Sequence, residues 1–264
     1  MSKPSIWAIA GKNIYLTGAA GQLGQQWRQH LVEDGAIVFP IDNAWLGHPV
    51  DVTSQEEVEA ALKYYADMTR IGFGGGNFGP PQSPDALICA AAIDAKPGTP
   101  GCGRPEDVPL EDFIKTLEVN LVGVQNCIQV FAKLMMQAGS GSIILVSSIY
   151  GLASPDQRRY EGISEEGFWK PAAYSASKAG LLGLTRYWAV YLAPYGVRVN
   201  AVTFGSMARD DYHPLFSERF IADVPMRRYA QPGDFDGAIH FLVSDASSYM
   251  TGANLVVDGG FLAW

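Results

Sequence analysis

Short apolar runs alternate along the chain with stretches in which apolar side chains recur at helical spacing. Residues 13–17, 36–41 and 86–91 read as buried strands, and helical patterns open at about Gln22 and Ser54 between them. From Leu110, the positions Phe113, Ile114, Leu117, Leu121, Val124, Ile128 and Phe131 keep helical spacing, which predicts one long helix carrying Asn120. A strand at 142–146, a helix at 172–193, a strand at 197–203, a helix at 234–243 and a strand at 255–257 complete the series. This alternation predicts an α/β fold: a doubly wound parallel sheet of about seven strands with helices on both faces, formed as one domain over residues 1–264. Pro40 removes a ladder donor from the second strand, which is expected to lie inside the sheet. The Gly- and Pro-rich segment 72–84 and the charged, aromatic segment 154–171 read as surface loops.

Composition narrows the range of function. At 264 residues, 48% hydrophobic and 17% charged, the chain can bury a full core. A net charge of -8 and a pI near 5.0 argue against nucleic-acid or anionic-membrane partners, which need a basic patch. No apolar run reaches membrane-spanning length, and residues 5–10 are too short for a signal-peptide core. Cys89, Cys102 and Cys127 are odd in number and lack C-x-x-C spacing, which suits a reducing, cytoplasmic compartment. No His, Cys or Asp cluster has metal-ligand spacing, so no catalytic metal is expected.

The candidate chemistry lies at strand ends. Thr17-Gly18-Ala19-Ala20-Gly21-Gln22-Leu23-Gly24 joins the first strand to the first helix, where glycines let backbone approach a pyrophosphate held by the helix N-terminus. Glycines at such a junction also serve tight packing alone. Asp42 ends the second strand, where a carboxylate accepts hydrogen bonds from both ribose hydroxyls and repels a 2'-phosphate; this favours NAD over NADP. Without a nucleotide it is simply a solvated strand-end aspartate. Tyr174 and Lys178 stand four residues apart on one helical face, so an ammonium can favour the phenolate and fit the tyrosine for general acid/base work. By itself Y-x-x-x-K is short, and many helices carry it with the lysine solvated. Ser148 follows a strongly β-prone run, which puts its hydroxyl at the carboxyl end of a strand, where open α/β sheets bind ligands.

Taken in order, these residues resemble the short-chain dehydrogenase/reductase family over nearly the whole chain. The likeness is carried by T-G-A-A-G-Q-L-G, Asp51-Val52-Thr53, Asn120, Ser148, Tyr174 with Lys178, Val199-Asn200-Ala201-Val202 and Asp258-Gly259-Gly260. The resemblance implies a Rossmann fold that binds NAD against Gly18, Gly21, Gln22, Leu23, Gly24, Asp42, Ala91, Gly205 and Met207, with Asp51 and Val52 at the adenine. It further implies that Tyr174 exchanges a proton with the substrate oxygen and that Ser148 hydrogen-bonds the same oxygen. Lys178 would bind the nicotinamide ribose and lower the Tyr174 pKa, and Asn120 would help hold a water on the proton's route to solvent. Three positions depart from the pattern: Cys89-Ala90-Ala91-Ala92 replaces the common N-N-A-G, Phe204-Gly205 replaces Pro-Gly, and Arg209 replaces a threonine.

Substrate identity falls to the insert at 154–171 and a lid at 206–224, with Arg158, Tyr160, Trp169, Arg209 and Tyr212 as candidate contacts and His213 as a wall or surface residue. The mixture suits a polyhydroxylated or anionic small molecule, and the insert resembles that of members acting on sugars, sugar acids or surface-glycan precursors. Arg158 and Arg159 could equally form surface ion pairs worth little. The expected function is NAD(H)-dependent interconversion of a secondary alcohol and a ketone. A nucleotide-sugar epimerase or dehydratase and a non-catalytic nucleotide-binding protein are the alternatives. Apolar faces on the Leu110 and Tyr174 helices and the tail 261–264 predict a homo-oligomer, a tetramer by the resemblance.

Overall fold

The computed structural model describes residues 5–70, 83–95, 103–164 and 167–264, with the side chains of 68–70 left aside. Cys102 and nearly all of the 72–84 loop lie outside the described residues. Six strands form one sheet: β1 (Asn13–Thr17), β2 (Ile37–Ile41), β3 (Ala86–Cys89), β4 (Gly141–Ser148), β5 (Val197–Phe204) and β6 (Asn254–Val257). Their spatial order is β2-β1-β3-β4-β5-β6, and every pairing is parallel. The helices are α1 (Gln22–Glu33), α2 (Gln55–Arg70), α3 (Leu110–Leu117), α4 (Gly123–Ala138), α5 (Ala172–Leu192), α6 (Pro214–Ala222) and α7 (Asp236–Val243).

Burial on both faces explains why the strands read as continuous apolar runs rather than as alternating ones. Tyr15, Leu87, Cys89, Ile143, Leu145, Val199 and Ala201 face the layer of α2, α4 and α5. The intervening Ile14, Leu16, Ile88, Ile144, Val146, Val202 and Phe204 face α1 and α7. Aromatic pairs fix both layers: Tyr15 stacks on Phe39 at 4.6 Å, and Phe204 on Phe235 at 4.2 Å. Such pairs contribute about 0.5–1.5 kcal/mol each beyond their burial.

Two expectations need correction. The described residues form six strands rather than seven. The segment leading to Asp51 bonds Val50 N–H to the Asp42 carbonyl (3.0 Å) instead of extending a ladder, and Pro49 has no N–H to offer one. Consequently β2 is an edge, which explains Pro40. The Pro40 carbonyl accepts from the Tyr65 hydroxyl rather than from a neighbouring strand, so the side lacking an N–H faces away from β1. The single long helix is also interrupted. A π turn at Glu118–Val122 separates α3 from α4 and swings Asn120 into the interior, where it is fully buried.

Candidate active site

The chain leaves β1 toward β2 on one side and returns through β3 on the other, so the strand order reverses between β1 and β3. A crevice opens there at the carboxyl ends of the strands. Gly18 leaves β1 at φ 70°, and its N–H donates to the Ile41 carbonyl (2.9 Å). A Cβ on Gly18 would lie 2.7 Å from Ala91 N, and one on Gly24 would lie 2.1 Å from the Gly18 oxygen. Only glycine lets the turn rest on the end of β3 while α1 closes over it. The Thr17 hydroxyl completes this junction by accepting from the N–H groups of Ala90 (3.0 Å) and Ala91 (3.1 Å). Sequence reasoning gave that threonine no role of its own.

The N-terminus of α1, at Gly21 and Gln22, carries no side-chain cap. The Gly21 N–H donates to the Gly18 carbonyl (3.0 Å), and the N–H groups of residues 22–24 beside the glycine cradle fit the pyrophosphate of a dinucleotide. The Asp42 carboxylate stands next to the turn and accepts from Ala20 N–H (3.0 Å) and Ala44 N–H (2.8 Å). Asp51 accepts from the Thr53 N–H and hydroxyl, both at 2.9 Å, whereas the Val52 side chain is buried toward Gly123. A cavity of about 700 Å³ runs from Gly18, Gly21, Gln22, Leu23 and Gly24, past Gly205 and Met207, to Ser148, Tyr174 and Lys178. Ala90 and Ala92 line it, while Ala91 is held behind by Thr17.

Ser148 is the last residue of β4, and its hydroxyl also accepts from Tyr150 N–H (3.2 Å). Tyr174, in the first turn of α5, lines the cavity with Ser148, which acts to lower the phenol pKa. One turn on, buried Lys178 donates to the Val146 carbonyl (2.8 Å), and its Nζ lies 5.7 Å from the Tyr174 ring centre. Burial lowers the Lys178 pKa to about 8, against the opposing pull of Asp94 and Cys89. Tyr174 moves upward, mainly through burial and secondarily through the Asp94 carboxylate, with Ser148 acting the other way. The expected lowering of the phenol by Lys178 is therefore not what this structure shows: burial sets the direction.

Asn120 ties segments together from behind the cavity. Its Oδ1 accepts from Ile93 N–H (2.8 Å), and its Nδ2 donates to the Ile93 carbonyl (2.9 Å) and to Ser177 Oγ (3.2 Å). Both amide N–H groups are thus taken by protein.

Among the expected substrate contacts, Tyr160, Arg209 and Tyr212 line the cavity, and Arg158 and Trp169 do not. Exposed Arg158 is spent on Asp156, and Trp169 packs against Gly167 with the Arg104 guanidinium 5.8 Å from its ring. Arg209 pairs with Asp211 (2.7 Å), Tyr212 bonds Ser206 (3.0 Å), and His213 lines the wall while capping α6 through Leu215 N–H (3.2 Å). Asp94 and Lys170, which the sequence reading passed over, form an ion pair in the wall. The available signal was spacing, since Lys170 precedes Tyr174 by the same interval at which Lys178 follows it. Among the described residues no group of His, Cys, Asp or Glu is placed to hold a metal, and no helix is long and apolar enough to cross a membrane.

A family model described as enoyl-(acyl carrier protein) reductase matches residues 10–262. The chain is 32% identical to an L-rhamnose 1-dehydrogenase (NAD(P)(+)) of Azotobacter vinelandii, across 96% of this chain and 97% of that protein. This chain belongs to the short-chain dehydrogenase/reductase family. Trans-4-hydroxycyclohexanecarboxylate dehydrogenase of Sinomonas cyclohexanicum is 33% identical, across 96% of this chain and 93% of its own length. Among solved structures, a short-chain dehydrogenase from Leptospira borgpetersenii with bound NAD+ superposes with a TM-score of 0.82 at 28% identity, covering 99% of this chain and 96% of that one. Within this short-chain dehydrogenase/reductase the first helix is also tied to the segment 206–224, since Gln22 Nε2 donates to the Ala208 carbonyl (3.0 Å).

Proposed function

We propose that the chain is an NAD(H)-dependent oxidoreductase that interconverts a secondary alcohol and a ketone on a small, polar, carbohydrate-derived substrate. The observation that carries this reading is the meeting of Ser148, Tyr174 and Lys178, the last one helical turn from Tyr174, at the end of a cavity that begins at the glycine cradle. When bound, the dinucleotide supplies or takes up the hydride. The N–H groups of residues 22–24 hold its pyrophosphate, and Asp42 holds the adenosine ribose and disfavours a 2'-phosphate. Tyr174 gives a proton to the substrate oxygen during reduction and removes it during oxidation, while Ser148 orients that oxygen. Lys178, anchored by the Val146 carbonyl, supplies the adjacent positive charge on the cofactor side. Similarity to dehydrogenases named for L-rhamnose and for a hydroxycyclohexanecarboxylate supports a ring-shaped or polyhydroxylated alcohol as substrate.

The whole chain acts as one catalytic domain. It assembles as a homotetramer through outward apolar side chains on α5, among them Tyr187 (65% exposed) and Val190 (79%). Free, buried Cys89 and Cys127 suit the reducing cytoplasm. The test is Tyr174→Phe. Turnover of sugar alcohols and aldoses should fall by about 10²–10⁴-fold, the usual span for a lost general acid/base, while NADH binding by fluorescence titration stays close to wild type. A variant that keeps most of its activity overturns the assignment.

A further inference from the structure

The cavity wall opposite the cofactor end holds a buried cation that the proton-transfer chemistry does not use. Lys170 precedes α5, and its side chain is 9% exposed; its Nζ donates to both carboxylate oxygens of Asp94 and stands 4.7 Å from the Tyr174 ring centre and 5.9 Å from that of Tyr150. Asp94 is 43% exposed, and both residues line the cavity.

Each member is held from behind by a reciprocal pair of hydrogen bonds. Gln157 donates to the Lys170 carbonyl (3.0 Å) and accepts from its N–H (2.9 Å), a side-chain amide standing in for a strand neighbour. Asn120 does the same for Ile93, the residue before Asp94. The pair is therefore positioned before any substrate arrives, as a recognition element needs to be.

An ammonium has three N–H groups, and Asp94 takes two; a carboxylate has about four lone-pair sites, and Lys170 takes two. What remains, on two residues that both line the cavity, is one donor beside free acceptors. Adjacent hydroxyls, each both donor and acceptor, match that arrangement. A substrate carboxylate does not, because the ammonium is already neutralised and the more exposed member of the pair is negative. The neighbouring wall is aromatic, with Tyr160 stacked on Phe216 at 5.0 Å, which gives the C–H face of a ring a surface to lie on.

We infer that Asp94 and Lys170 form a hydroxyl-reading clamp beside Tyr174, and that the substrate is a neutral compound with a hydroxyl on the carbon next to the one oxidised. The inference rests on the oxidoreductase reading above and names the substrate class of that site.

Oxidation of cyclohexanol, trans-1,2-cyclohexanediol and 2-hydroxycyclohexanecarboxylate with NAD separates the possibilities, with kcat/KM compared for wild type, Lys170→Met and the isosteric Asp94→Asn. The wild type should favour the diol over both others by about ten-fold or more, the scale of a hydrogen bond to a charged group. In either variant the diol-to-monool ratio should fall toward one, and Asp94→Asn should raise the relative rate on the carboxylate. Asp94→Asn preserves shape and covers the case in which Lys170→Met fails to fold, as judged by thermal melting. Wild-type turnover without a diol preference, a preference for the carboxylate, or an unchanged ratio in a folded variant overturns the clamp alone. Absence of turnover on every alcohol, with NADH bound, overturns the oxidoreductase reading and the clamp with it.

Discussion

Gly24 offers the sharpest test of how the cofactor cradle is built. In Gly24→Ala the new Cβ would lie 2.1 Å from the Gly18 oxygen and 2.8 Å from the Ala19 Cα, where ordinary contact begins near 3.4 Å. Both neighbours are backbone, so no side chain can rotate aside, and α1 must move by more than an ångström relative to the turn. Forced overpacking costs about 1–3 kcal/mol, and for a chain of this size each kcal/mol lowers Tm by about 2–4 °C. Because the displaced groups are the N–H donors that would hold the pyrophosphate, NADH affinity should fall about ten-fold or more along with stability. Gly237→Ala in α7, where nothing lies within 4 Å of the added methyl, is the control and should leave both properties nearly unchanged. Calorimetry and NADH fluorescence titration read the two effects separately. If Gly24→Ala melts and binds like Gly237→Ala, the turn is not packed as described and the cradle argument fails.

Three further outcomes follow from the same geometry. Lys178 has a folded pKa of about 8 against an ordinary 10.5, so both states hold the proton below pH 8, and the folded state sheds it first above that. Wild-type stability relative to Lys178→Met should therefore rise between pH 8 and 10.5, by up to roughly 3 kcal/mol in chemical denaturation. The buried thiol of Cys127, pushed up to about 12, acts in the opposite sense but cancels in the difference between the two proteins; a flat difference refutes the buried ammonium. Wild type should bind NADH at least about ten-fold tighter than NADPH, and Asp42→Ser should erase most of that gap in parallel titrations, because like charges at contact distance oppose each other by several kcal/mol at most; equal wild-type affinities would remove the role given to Asp42. Val190→Asp, on the outward face of α5, should shift the mass measured by light scattering toward smaller species, and a wild type already monomeric at micromolar concentration refutes the proposed tetramer.

The order of the elements, the doubly wound class and the positions of Gly18, Gly24, Ser148, Tyr174 and Lys178 were legible in the linear chain because each rests on local physics. Strand runs buried on both faces, helical spacing, a glycine-rich turn and a four-residue interval all act within a few residues. Tertiary structure decided the rest. Whether Pro40 is tolerable depends on which strand lies beside β2, and pairing is a long-range fact. Asn120 proved to be a tie to Ile93 and Ser177, since a π turn rotated its side chain inward. Arg158 and Trp169 shared the insert with Tyr160 yet stand outside the cavity, because only the packed loop selects which side chains point in. Asp94 and Lys170 are 76 residues apart, and no local pattern announces an ion pair closed across that distance. Even the direction of the Tyr174 pKa shift belongs to the fold, because the spacing shows a neighbouring cation but not the burial that raises the phenol.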